Sequence, residues 1–76
     1  MESHMETKRK LRRIDRKSTF NSILEDSMLN EKEKKLIYMY YAQGKSLDYI
    51  ADDLGYSRSG ILKLHNRALK KVSSLL

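Results

Sequence analysis

Residues 46–72 read SLDYIADDLGYSRSGILKLHNRALKKV, and the spacing inside this stretch decides the fold. Counting Leu47 as position one, apolar side chains stand at position four (Ile50), eight (Leu54), ten (Tyr56), fifteen (Ile61) and eighteen (Leu64). Ala51 holds position five and Gly55 position nine. Two helices crossing at roughly 90–120° bring their backbones close at position five, where only a small side chain fits. The turn between them needs a residue that tolerates positive φ, which is the property of glycine. The joint match predicts a helix-turn-helix over residues 47–66. Ser46 and Ser57 stand where a hydroxyl caps the free amides of a first turn.

The helix that follows runs from Arg58 to about Ser73, and its two faces differ. On a helical wheel, Ile61, Leu64, Ala68, Val72 and Leu75 share one side, widened by Leu62, His65, Leu69 and Leu76. Opposite lie Ser59, Lys63, Asn66, Arg67 and Lys70, with Lys71 at the edge and no acid among them. Basic groups neutralise phosphate, while Lys63 and Asn66 carry groups that read guanine and adenine edges in the major groove. Ser57, Arg58 and Ser59 sit at the N-terminal end, the end that a recognition helix inserts.

Upstream, Asn30 followed by Glu33 has the form of a capping box, and Glu31 adds charge favoured by the helix dipole. Leu36, Ile37, Tyr40 and Tyr41 share a face, and Gly44 supplies the exit. Before that, Phe20, Ile23, Leu24 and Met28 predict one more helix, capped by Ser18 or Thr19. No stretch alternates with period two, and the chain has no proline and three glycines. The expectation is an all-α, four-helix domain over residues 18–76. Residues 1–17 read as a flexible basic arm or a frayed helix start, serving either as a solubilising tail or as a DNA-backbone contact. Ser3-His4-Met5 matches a common vector junction, so Met1–His4 are set aside and Met5 is the expected natural start.

Seventy-six residues fit one domain. There is no cysteine to form a disulfide or a thiolate zinc site. No apolar run nears the roughly 20 residues that span a bilayer, so a cytoplasmic location is expected. Residues 1–17 carry seven Lys/Arg against three acids, and residues 54–76 five against none. Residues 18–53 carry four against seven. Two basic ends around an acidic middle suggest a polyanion partner at the ends and another use for the middle. No catalytic constellation, metal set or cofactor motif is present, so no enzyme activity and no cofactor are expected. His65 reads as boundary packing with no metal partner at ligand spacing. Tyr38, Tyr40 and Tyr41 read as core, with Tyr38 the one exposed. Glu25, Asp26, Glu31 and Glu33 read as a solvated face.

Residues 29–72 resemble the fourth conserved region of bacterial sigma factors, the part that reads the upstream promoter element. The run Gly55-Tyr56-Ser57, then Leu64-His65, Arg67-Ala68-Leu69 and Val72, is more similar still to small phage sigma-like regulators of the ArpU type. The resemblance implies base or adjacent phosphate contacts at Arg58, Ser59, Leu62 and Lys63, and phosphate contacts at Arg67 and Lys70. The candidate DNA-binding set is therefore Ser57, Arg58, Ser59, Leu62, Lys63, Asn66, Arg67 and Lys70. Tyr38 and Tyr40 stand where the sigma pattern often has arginine, and Ser59 and Gly60 replace longer polar residues. A chain of this length has no room for the region that melts DNA, so a regulator is expected rather than a complete sigma factor.

Three functional readings follow. The first is a sequence-specific double-stranded DNA-binding transcription regulator of bacterial or phage origin. The second is a module docking on RNA polymerase or a sigma factor through the acidic 18–53 segment. The third is the DNA-binding part of a recombinase or small terminase. A monomer or weak homodimer is expected, and Leu62, Leu69 and Leu76, seven apart, offer either a dimer seam or internal packing.

Overall fold

The computed structural model describes residues 5–14 and 16–75. Five α-helices follow one another: α1 (Met5–Arg13), α2 (Lys17–Asp26), α3 (Glu31–Ile37), α4 (Leu47–Leu54) and α5 (Arg58–Ser73). A single π-helical stretch, Tyr38–Ala42, prolongs α3. No strand occurs among the described residues. The all-α class is as the sequence implies, but there is one helix more than the four expected.

The longest helix, α5, is the hub on which α1, α3 and α4 pack. It buries Ile61, Leu64, His65, Ala68, Leu69 and Val72. Facing them are Leu36 and Ile37 from α3, Ile50 and Ala51 from α4, and Leu11 from α1. A small domain buries a modest share of its surface, so each of these side chains carries a large part of the stability. Leu69 is fully buried in this core, which takes it out of any dimer seam. Leu76 lies outside the described residues.

The added helix is α1, formed by residues that read from sequence as a flexible arm or a frayed helix start. Thr7 and Leu11, four apart, face inward and are 5% and 2% exposed. Two apolar anchors cannot hold an isolated nine-residue helix, since short helices draw their stability from packing. Here α5 supplies that packing.

Three local expectations are corrected. α2 begins at Lys17, its N-cap is Arg16 without a side-chain bond, and Ser18 and Thr19 fall inside the helix. Met28 is not on the inner face of α2, because the helix ends at Asp26 and Met28 turns outward at φ 58°, 85% exposed. That left-handed residue redirects the chain so that Leu29 enters the core instead. Glu33 does not belong to a solvated face and is fully buried.

The Asn30 capping box forms as its spacing implies. The Glu33 amide donates to Asn30 Oδ1 at 2.8 Å, and the Asn30 amide donates to Glu33 Oε1 at 2.9 Å. Lys71 Nζ, from α5, donates to the same Oε1 at 2.8 Å. One carboxylate thus starts α3 and ties it to α5.

Candidate nucleic-acid interface

α4 and α5 form one welded unit. Ile50, Ile61 and Leu64 are buried between them, Ala51 is 6% exposed, and Leu47, Leu54 and Tyr56 close the edges. Gly55 leaves α4 at φ 81°, and the next amide, Tyr56, donates to the Ala51 carbonyl at 2.8 Å. Both helix starts are capped. Ser46 Oγ accepts from the Tyr49 amide and Ser57 Oγ from the Gly60 amide, each at 3.1 Å. A brace from α3 steadies the turn, with Lys32 Nζ 5.1 Å from the centre of the Tyr56 ring and donating to the Leu54 carbonyl.

Gly60 leaves the recognition tip bare for a steric reason. A Cβ there would stand 3.1 Å from Ser57 Oγ and 3.3 Å from the Tyr56 ring. The glycine keeps the cap and the aromatic packing, at the cost of a side chain that could reach a base.

All eight candidate residues are exposed, on the side of α5 away from the core or at its start. Ser57 spends its hydroxyl on the cap. Leu62 is 46% exposed, an apolar side chain beside Arg58 in the groove between the starts of α4 and α5. Lys63, Asn66, Arg67 and Lys70 extend the face along the helix. Lys71, at the edge, is drawn to Glu33.

Among the described residues, the one acidic contact to the candidate residues comes from α4. Asp48 Oδ2 lies 3.3 Å from the Arg58 guanidinium, with both side chains exposed. Such a pair is weak, and phosphate competes for the arginine. Asp48→Asn is therefore expected to tighten duplex binding about two- to five-fold, by freeing Arg58 and removing a like charge from the phosphates. Fluorescence anisotropy at fixed salt checks this, and unchanged or weaker binding would count against a DNA role for Arg58.

The sequence reading passed over Tyr49, which is 51% exposed on the first turn of α4. Lys45 Nζ stands 4.9 Å from its ring centre. A phenol hydroxyl and an ammonium at the start of the positioning helix suit a phosphate. The available signal was Tyr49 itself, a large aromatic at motif position three, where the pattern asks for no apolar group.

Behind α5 lies an aromatic cluster. His65 is 4% exposed, its Nε2 is 2.9 Å from the Tyr41 hydroxyl, and Tyr40 meets it edge-on at 5.2 Å. Burial first, then Tyr40, pushes the Tyr41 phenol well above its ordinary range, with Arg12 opposing. The phenol therefore keeps its proton, and the pair is a structural tie. Tyr38 is half-buried like Tyr40 and Tyr41, its ring 6.3 Å from Phe20, and is not the exposed member of the group. Among the described residues no cluster of His, Cys, Asp or Glu could hold a metal ion, and no helix is long and apolar enough to cross a membrane.

No curated protein and no solved structure matches the chain. Residues 27–74 match a family model described as Sigma-70, region 4. The matched span contains α3, α4 and α5, and excludes α1 and α2.

Proposed function

This chain belongs to the sigma-70 region 4 family, and from that premise we propose that it is a small, sequence-specific regulator of transcription, of bacterial or phage origin. At the coarser level it is a DNA-binding helix-turn-helix domain of the sigma type. The observation that carries the finer reading is the composition of α5, whose inner face is core and whose outer face is exposed and free of acid. The Gly55-Tyr56-Ser57 and Leu64-His65 pattern supports kinship with phage regulators of the ArpU type.

In this reading the first turn of α5 enters the major groove while α4 crosses the backbone. Arg58 and Ser59 meet bases or adjacent phosphates at the tip. Lys63 and Asn66 face base edges one to two turns further on, and Leu62 offers an apolar contact to a thymine methyl. Arg67 and Lys70, nearer the exit, bind phosphate and set register. Ser57 fixes the helix start through its cap.

A second reading has its own support. Glu25, Asp26, Glu31, Asp52 and Asp53 are exposed on the middle of the chain. An open groove of about 550 Å³ between α2 and α3 has Leu24, Tyr38 and Met39 on its floor. Glu25, Asp53, Lys34 and Lys35 line the same groove, and with the carboxylates around it this mixed-charge, partly apolar surface fits a protein partner such as a segment of RNA polymerase. One experiment separates the two. In an amide NMR titration at moderate salt, duplex DNA is expected to shift residues 57–70, and polymerase to shift residues 21–53. Silence of 57–70 with duplex would sink the DNA reading of α5.

A further inference from the structure

We propose that the outward face of α1 is a second DNA-contacting surface, which grips phosphates of the duplex held by α5. It rests on the DNA-binding reading of α5 for its partner, but its evidence comes from residues outside the family match.

Thr7 and Leu11 anchor one side of α1 in the core. The opposite side presents Lys8, Arg9, Arg12 and Arg13, which with Met5 line a shallow concavity of about 380 Å³. Arg9, Arg12 and Arg13 are exposed and Lys8 is partly so. The ion pairs among the described residues join Lys34 to Glu25, Arg58 to Asp48 and Lys71 to Glu33, and none draws on these four cations. Glu6, the only acid of α1, is exposed one turn before Arg9 and beside Arg13 on the wheel, so this face holds four cations to one acid. Arg12 is further steadied, its guanidinium 5.8 Å from the centre of the Tyr41 ring.

A run of charge is usually a solvated surface. Two features argue otherwise here. A solubilising surface mixes both signs, whereas this face carries four cations to one acid. It also sits on a helix fixed to the core, so its cations are held in place before any partner arrives and less ordering is lost on binding.

Charge complementarity picks the occupant. The molecule is about 30 Å in its longest dimension, and 30 Å of duplex carries roughly 18 phosphate charges. On α5 only Arg58, Lys63, Arg67 and Lys70 are available to meet them, because Lys71 is given to Glu33. α1 packs directly on α5, so its basic side chains belong to the same packed unit as the surface that seats the duplex.

The test is the triple variant Lys8→Gln, Arg9→Gln, Arg13→Gln, with Arg12 kept for its contact with Tyr41. A 30-base-pair duplex is titrated over a range of salt, with Lys34→Gln, Lys35→Gln as a charge control on α3. The triple variant is expected to flatten the plot of log K against log salt by two to three units, at about 0.9 per phosphate contact. Binding should weaken equally for all sequences, and the α5 amide shifts should persist. An unchanged slope with those shifts intact overturns the proposal while leaving the α5 reading standing. Equal loss in the charge control overturns it too, as an effect of net charge. Silent α5 amides together with a flattened slope would instead remove the α5 reading and keep α1 as the contact. A thermal melt matching the unmodified chain shows that the triple variant is folded.

Discussion

Lys71→Met is expected to cost the domain about 2–3 kcal/mol and to lower its melting temperature by roughly 10–20 °C. The reason lies in Glu33, which is fully buried. Its Oε1 accepts from the Asn30 amide and from Lys71 Nζ, and its Oε2 meets no donor among the described residues. Removing the ammonium leaves a carboxylate in the core with one neutral donor, and stranding a buried charge is far more costly than losing a pair. The figure is set below the usual 3–5 kcal/mol because the Lys71 side chain is 37% exposed, so water already screens part of the attraction. Glu33→Gln should cost only about 1 kcal/mol, since the amide oxygen still caps α3 and Lys71 turns to solvent. Combining the two is the decisive measurement. Lys71→Met, Glu33→Gln should be more stable than Lys71→Met alone, and a double variant no better than the single one would show that the charge is not what Lys71 answers.

That pair also marks where the sequence stops being informative. The capping box was legible because its chemistry is local, three residues apart on one turn. Its partner was not, since Lys71 stands 38 residues away and only the packing of α3 on α5 brings it near. Met28 failed for a related reason. Its spacing from Leu24 suits a helix face, but periodicity says nothing about where a helix stops, and the chain turns left-handed there. The π stretch over Tyr38–Ala42 left no local mark either. It is closed by backbone bonds, from the Gln43 amide to Tyr38 and from Lys45 to Met39, that any residues could make.

The candidate interface was more legible than the fold around it. Apolar spacing on α5 identifies the buried side, and the polar residues opposite are exposed by geometry alone, whereas Leu62 sits on the apolar side of the wheel and is exposed because no described residue packs over the start of the helix there. The same logic gave α1 no more than a frayed helix start, because Thr7 serves as an inward residue and Leu11 is the single large anchor. It missed Asp48, because an acid on the first turn of α4 looks sufficiently explained by the helix dipole. Only the crossing of α4 and α5 places it against Arg58.

Lys63→Ala and Lys70→Ala should part company in a way that neither charge nor stability can imitate. Both remove one exposed lysine from the same face of α5 and neither side chain supports the core, so folding should be unaffected. Lys63 stands five residues beyond Arg58, about 7.5 Å along the axis, within the part of the helix that enters the groove. Lys70 stands about 18 Å along, where the helix has left the base edges and passes the backbone. With Ser59 short and Gly60 bare, few long side chains remain near the tip, and the proposed docking leaves base reading to Arg58, Lys63 and Asn66. Lys63→Ala is therefore expected to erase about 1–3 kcal/mol of discrimination at one base pair, roughly a five- to 150-fold loss of preference. Lys70→Ala should weaken every sequence alike and lower the salt slope by about one unit. Binding-site selection from a random duplex pool, run for each variant, reads out the first effect, and salt titration on one duplex the second. If Lys63→Ala alters only the slope while keeping the selected site, the helix lies shallower than proposed, and the reading residues must be sought at Arg58 and on α4.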